Sequence, residues 1–232
     1  MIEARRNLRV VLATPHDRHG SLEIKLRQHL GLEVLRVRNE SELCSDELVK
    51  FLPNYIFFPH WSWKIPAVIY ERFECVIFHM TDLPFGRGGS PLQNLIVRGM
   101  RETQLTALLC VEGFDSGPIY LKRQMSLLGT AEEILMRASK LTEEMIEKIV
   151  KEKPKPYAQV GEATIFLRRS ARDGDIAPLE TLDEVFDYIR MLDADGYPSA
   201  FLETKFLKIE FKRASIKPDC IVADVKILRK KP

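Results

Sequence analysis

The sequence has few cysteines and no long apolar run, and each of these absences excludes a class of protein. Its four cysteines, Cys44, Cys75, Cys110 and Cys220, are too scattered for a Cys-x-x-Cys zinc motif. Cys75 and Cys110 fall inside apolar runs, where a thiol usually acts as a small hydrophobic side chain. No uninterrupted apolar stretch reaches the roughly 18 residues that a membrane span requires. We therefore expect neither a zinc domain nor a membrane protein.

The chain also lacks a strong charge of either sign. Its formal net charge is +2, its lysines and arginines are dispersed, and its one basic run is Arg229-Lys230-Lys231. Nucleic-acid-binding surfaces are typically more basic, so the charge gives little support for one. The first residues lack the long apolar core of a secretory signal, and we expect a cytoplasmic protein.

Short apolar runs alternate with helical patterns in the first half of the chain. The expected strands are residues 8–13, 33–37, 54–58, 75–78 and 105–111, and the expected helices are residues 21–30, 65–73 and 91–101. This alternation predicts an α/β fold with a Rossmann-like, mostly parallel sheet and helices on both faces. The first strand is followed by Thr14-Pro15-His16-Asp17 rather than by glycines, so a nicotinamide dinucleotide site is not expected.

The second half begins with a capping box at Thr130 and Glu133, which starts a predicted helix of about 20 residues. The prolines at 154 and 156 predict a boundary between a catalytic domain, residues 1–153, and a small α+β domain, residues 157–232. There, Thr181 and Glu184 cap a short helix, and alternating residues over 207–212 and 221–227 predict an antiparallel pair. That pair could form a homodimer edge or be covered within the subunit.

The clearest candidate site joins His79 and Asp115. His79 follows an apolar run and precedes the turn Gly86-Arg87-Gly88-Gly89, and Asp115 lies in a second turn after another apolar run. Ligands of such sheets gather at the carboxyl ends of strands, where we expect both residues. A histidine beside a carboxylate can move protons. Taken singly, His79 could be structural and Asp115 a turn residue, and the glycines could cradle a phosphate or only form a tight turn. No histidine has the spacing of a metal site.

Both tryptophans of the chain, Trp61 and Trp63, lie in the loop over residues 59–66. Aromatic clusters usually belong to the core. Here His60, Ser62 and Lys64 are interleaved with the rings, so a binding surface for a flat aromatic ligand is the alternative.

These motifs resemble those of the 10-formyltetrahydrofolate-dependent formyltransferases, whose motif runs Asn-x-His-x-Ser-Leu-Leu-Pro-x-x-Arg-Gly. The matching residues are His79, Leu83, Pro84, Arg87, Gly88, Pro91 and Gln93. Asp115-Ser116-Gly117 is similar to the family's second, Asp-x-Gly turn, and residues 166–176 are similar to its tail. The resemblance implies 10-formyltetrahydrofolate as formyl donor and His79 and Asp115 as catalytic residues. It implies a folate surface made by Trp61, Trp63, Ile65, Pro66, Arg87 and Phe114.

One position departs from the family motif, because Ile77 stands where the family has asparagine. Isoleucine cannot hydrogen-bond a formyl oxygen. Gln93, Asn94 or His60 could supply the missing donor. Otherwise the chain would be a folate- or nucleotide-binding homologue with impaired catalysis.

The resemblance leaves the amine acceptor open. The short C-terminal segment and the nearly balanced charge favour the amino group of a nucleotide-linked amino-deoxysugar, of the kind used for surface glycans or nonulosonic acids. Transfer RNA, the acceptor of methionyl-tRNA formyltransferases, is the alternative.

Overall fold

A computed structural model describes residues 8–230 of the chain. Residues 1–7, on which the expectation about a secretory signal rests, and Lys231 of the basic run lie outside them. The chain divides into two compact units. The first comprises residues up to 87, 104–123 and 138–164, and the second comprises residues 88–103, 124–137 and those from 165 onward. The two prolines of the expected boundary lie inside the first unit, and the division at residues 153–157 stays a prediction.

A six-stranded sheet forms the centre of the fold. Its strands are β1 (Arg9–Ala13), β2 (Glu33–Val37), β3 (Tyr55–Phe58), β4 (Cys75–His79), β6 (Glu102–Leu109) and β7 (Ile119–Ser126). Their order in the sheet is β2-β1-β3-β4-β6-β7. Strand β1 pairs in parallel with β2 and β3, and β3 pairs in parallel with β4. The mostly parallel sheet is thus confirmed. Strand β6 departs from it, because it runs antiparallel to β4.

Helices lie between and after the strands of this sheet along the chain. They are α1 (Gly20–Gln28), α2 (Glu40–Leu43), α3 (Asp46–Phe51), α4 (Ala67–Tyr70), α5 (Pro91–Ile96) and α6 (Ala131–Glu152). The prediction of α1 and α6 is confirmed, and Thr130 and Glu133 form the expected hydrogen bonds at the start of α6. Helices α4 and α5 are shorter than predicted. Pro66 precedes the first, and the second ends before Gly99, which has a φ of +71°. No helix among residues 8–230 is long and apolar enough to cross a membrane.

Two apolar clusters of the first unit use alternate residues of the same strands. Val10 and Leu12 of β1 belong to one cluster, together with Ile149 of α6. Val11 and Ala13 belong to the other. Successive strand side chains point to opposite faces, so β1 is buried on both. The apolar runs of the sequence therefore reflect a covered sheet.

The second unit contains an antiparallel sheet in the order β11-β10-β9 and a helix, α7 (Leu182–Met191). The strands are β9 (Ala200–Glu203), β10 (Leu207–Ile216) and β11 (Ile221–Arg229). Thr181 and Glu184 form the predicted capping box of α7. The predicted pairing of β10 with β11 is confirmed, and β9 was missed. A two-residue strand on the motif turn, β5 (Arg87–Gly88), pairs with β8 (Ile165–Phe166).

Candidate active site

His79 is the last residue of β4, opposite Thr106 of β6, and not the first residue after the strand as the sequence suggested. Its side chain is buried, with 7% of the residue exposed. The Nε2 atom lies 2.8 Å from the carbonyl oxygen of Gly86. The Nδ1 atom lies 3.4 Å from Oδ2 of Asp115. The structure thus brings together the two residues singled out as the catalytic pair.

Asp115 reaches His79 by a different route from the one expected. Because β6 is antiparallel to β4, it ends at Leu109 opposite Val76, near the beginning of β4. The expectation that both residues follow carboxyl ends at one sheet edge is therefore wrong. The loop after β6 must return along β4 to place Asp115 beside the imidazole. Asp115 itself has a φ of +49°, a left-handed conformation that aspartate tolerates better than most residues.

Gly117 allows this loop to pack tightly against the end of β6. A Cβ atom built at Gly117 would collide with the carbonyl oxygen of Leu109. Any larger residue would displace the loop that carries Asp115. The glycine of the Asp-x-Gly turn therefore has a steric function that the sequence motif alone does not explain.

The motif turn is fixed by hydrogen bonds at Gly86. Its carbonyl oxygen accepts a hydrogen bond from Thr81 Oγ1 at 3.3 Å, besides its contact with His79. Its amide donates to Thr164 Oγ1 at 2.7 Å, and the amide of Arg87 donates to the Thr164 carbonyl at 3.0 Å. The left-handed φ of Gly86, +72°, is accessible to glycine without strain. These contacts indicate that the turn positions His79.

Arg87 and Gln159 connect the two loops of the site. Nε and Nη2 of Arg87 donate to Oε1 of Gln159 at 3.2 and 2.7 Å. Gln159 and Thr164 were missed by the sequence reasoning, because they follow the proline pair in a segment without a recognisable motif. That Arg87 contacts folate stays a prediction.

Ile77, which replaces the family asparagine, points to the same face of β4 as His79, two residues later. It packs against Leu83, Leu108 and Ile119. The side chain at this position therefore makes apolar contacts, and its surroundings are not those of a polar group.

The three candidate substitutes for that asparagine have other partners. In the second unit, Gln93 Nε2 donates to the carbonyl of Met191 at 3.5 Å, and Asn94 Nδ2 donates to the carbonyls of Gly89 and Leu167. The ring of His60 lies edge-on to that of His16, with 4.9 Å between centroids.

The sequence left open whether the tryptophan loop is part of the core or forms an aromatic binding surface, and the structure shows one ring in the core and one partly exposed. Trp61 and Ile65 pack against the core cluster that contains Phe58. Trp63 lies 4.8 Å from Trp61 between ring centroids and is 38% exposed. Part of the loop is thus core, and one ring offers an aromatic surface. Pro66 precedes α4 at its N-cap position. In the second loop, Phe114 is 79% exposed beside Asp115.

The electrostatics of the site act on Cys110, which lies at the end of β6. Burial and, to a lesser degree, the carboxylate of Asp115 raise the pKa of the Cys110 thiol to about 11. Burial also raises the pKa of Cys75. Neither thiol is a nucleophile at neutral pH, as expected of structural cysteines. Among residues 8–230 no group of three or more His, Cys, Asp or Glu residues could hold a metal ion.

Comparisons with known proteins relate the chain to methionyl-tRNA formyltransferases. Residues 171–228 match the family model for the C-terminal domain of methionyl-tRNA formyltransferase. The chain is 27% identical over 210 residues to the methionyl-tRNA formyltransferase of Campylobacter lari. That alignment covers 86% of this chain but only 66% of the relative, so the chain spans less than two thirds of the relative's length.

Solved structures extend the similarity to the whole described fold. A methionyl-tRNA formyltransferase from Clostridium thermocellum is 45% identical, with a TM-score of 0.92, and the match covers 96% of this chain and 100% of that one. The formyltransferase PseJ from Anoxybacillus kamchatkensis, in complex with a formamido nucleotide sugar and tetrahydrofolate, has a TM-score of 0.57 at 20% identity. That match covers 68% of this chain and 85% of PseJ, and it indicates a shared fold.

Proposed function

The chain belongs to the formyltransferase family, and we propose that it transfers a formyl group from 10-formyltetrahydrofolate to a primary amine. The observation that carries the proposal is the contact between His79 and Asp115 beside the motif turn. Both residues occupy the family's motif positions, and both side chains are mostly buried. A histidine held by a carboxylate is suited to general acid–base chemistry near neutral pH.

The reaction requires one bond to form, one to break and one proton to move. The amine nitrogen forms a bond to the formyl carbon, and the bond between that carbon and N10 of the folate breaks. The proton lost by the amine reaches N10. His79 takes up this proton from the amine and donates it to N10. While the ring is protonated, the carboxylate of Asp115 stabilises its positive charge.

Aromatic surface in the first unit supports a folate donor. Folate carries flat rings, and Trp63 and Phe114 both present exposed aromatic side chains in the loops that the family resemblance assigns to it. Tetrahydrofolate is bound to PseJ, which shares the fold. The folate contacts of Trp61, Trp63, Ile65, Pro66, Arg87 and Phe114 remain part of this proposal.

For the acceptor, we propose the amino group of methionyl-tRNA. The matched C-terminal model and the relatives from Campylobacter lari and Clostridium thermocellum all bear the name of that activity. The second candidate is a nucleotide-linked amino-deoxysugar. The formal net charge of +2 favours it, because a transfer RNA partner usually faces a strongly basic surface.

A direct assay tests both the reaction and the acceptor. The full chain is incubated with 10-formyltetrahydrofolate and either methionyl-tRNA or a panel of nucleotide 4-amino-sugars, and release of tetrahydrofolate is followed. Turnover with one acceptor class identifies the substrate, and a His79→Gln preparation provides the blank. Absence of turnover with both classes, together with no folate binding by calorimetry, would overturn the proposal.

A further inference from the structure

Gln159 holds the loop of Asp115 and the motif turn together within the first unit. Its Nε2 atom donates to the carbonyl oxygens of Asp115 and Gly117, each at 2.8 Å. Its Oε1 atom accepts both hydrogen bonds from Arg87. One partly buried side-chain amide therefore uses its donor group on one loop and its acceptor on the other.

The backbone around Gln159 is itself anchored to the same loop. Tyr157 and Ile119 exchange two backbone hydrogen bonds, of 2.9 and 2.7 Å, just after the Asp-x-Gly turn. Farther along this segment, Thr164 binds the motif turn at Gly86 and Arg87. The side chain of Gln159 thus extends from a backbone segment that hydrogen bonds hold in place. Both the backbone and the side-chain hydrogen bonds therefore position its amide.

This arrangement sets the distance between the two proposed catalytic side chains. His79 is fixed to the motif turn through the Gly86 carbonyl, which immediately precedes Arg87. Asp115 is fixed through its own carbonyl, which Gln159 binds. The His79–Asp115 distance of 3.4 Å therefore depends on two loops whose relative position Gln159 and Arg87 determine.

We propose that Gln159 is a positioning residue for formyl transfer, acting through Asp115 and Arg87 without touching the reacting atoms. The proposal rests on the proposed function. A misplacement of about 1 Å can lower a rate by roughly a hundredfold, so loss of this amide should reduce turnover without removing a catalytic group.

Two substitutions distinguish the hydrogen bonds that Gln159 donates to the Asp115 loop from those that it accepts from Arg87. Gln159→Met keeps the length of the side chain but removes both the donor and the acceptor. Gln159→Glu keeps an acceptor for Arg87 and places a carboxylate against the two carbonyl oxygens. If Gln159 acts on the Asp115 loop, both variants lose turnover. If it serves only to hold Arg87, Gln159→Glu retains turnover.

The matched control is Gln124→Met, which removes a surface amide hydrogen bond to Glu102. For both Gln159 variants we expect kcat to fall by about 10- to 100-fold. In Gln159→Glu, which keeps an acceptor for Arg87, KM for the folate should change less than about threefold. Gln124→Met should match the wild type in both measurements.

A readout independent of activity is the ¹⁵N NMR signal of the His79 ring. Displacement of Asp115 should change the Nδ1 chemical shift in the Gln159 variants and not in Gln124→Met. Wild-type kcat and an unchanged His79 signal in Gln159→Glu would overturn the proposal. If the wild type itself transfers no formyl group, the proposed function fails, and an unchanged ring signal would separately show that Gln159 does not position the pair.

Discussion

The Nε2 atom of His79 lies 2.8 Å from the carbonyl oxygen of Gly86, and its Nδ1 atom lies 3.4 Å from Oδ2 of Asp115. A carbonyl and a carboxylate only accept hydrogen bonds, and a neutral imidazole has one N–H. A neutral His79 ring can therefore donate to one of these two partners, and only the protonated ring can donate to both. The turn glycine thus has a chemical function as well as a conformational one.

The first prediction concerns the catalytic pair. His79→Gln and Asp115→Asn should each lower kcat by about 10²- to 10⁴-fold, the usual contribution of a positioned proton carrier. Melting temperatures should stay within a few degrees of the wild type, because both changes preserve side-chain volume. His29→Gln, at an exposed position, is the control. Near-wild-type turnover in either variant would remove that residue from the mechanism.

At Ile77, restoring the family asparagine should not restore activity. Ile77→Asn places an amide among Leu83, Leu108 and Ile119, which should lower the free energy of unfolding by about 1–3 kcal/mol without raising the rate. Ile77→Val should cost only about 1 kcal/mol and leave turnover unchanged. Urea unfolding and steady-state rates measure both effects. A faster Ile77→Asn enzyme with unchanged stability would contradict this interpretation.

Cys110 should report the charge of Asp115 without any assay of activity. The carboxylate helps to raise the thiol pKa to about 11, so Asp115→Asn should lower that pKa and speed alkylation of Cys110 at pH 8–9. Iodoacetamide labelling followed by peptide mass spectrometry resolves each cysteine. The exposed Cys44 and Cys220 should label at the same rate in both proteins. Equal labelling of Cys110 would show that the two groups do not interact.

A non-transferable folate analogue should quench tryptophan fluorescence if folate lies against the tryptophan loop. Trp63→Leu should raise KM for the folate more than Trp63→Phe, because phenylalanine keeps an aromatic surface at this exposed position. Trp61 packs on Phe58, so its replacement should mainly lower stability. Equal KM values for the two Trp63 variants would place the folate elsewhere.

Gly117→Ala should impair both stability and turnover, because the added methyl group collides with the carbonyl oxygen of Leu109 and displaces the Asp115 loop. Gly20→Ala is a matched control, since a Cβ there meets nothing within 4 Å at the start of α1. Thermal melting and kcat should fall for the first variant only. A Gly117→Ala protein with wild-type values for both would show that the loop can shift without consequence.

The sequence by itself identified His79 and Asp115, because their chemistry is recorded in short contiguous motifs. It also gave most of the strands and the ends of α6 and α7, since apolar periodicity and capping residues act over a few neighbouring positions. The apolar run around Ile77 indicated that this residue belongs to the core. The sequence did not indicate which residues it packs against.

Only the tertiary structure decided how the pair is assembled. The direction of β6 and the return of the Asp115 loop depend on strand pairing, which the apolar pattern of a strand does not specify. Gln159 lies 44 positions from Asp115, and Thr164 lies 78 positions from Gly86. Such hydrogen bonds leave no periodic or local signal, because any segment that the fold brings to the loops could supply them. The motifs therefore predict the proposed catalytic pair, and long-range hydrogen bonds between side chains and backbone position its two residues.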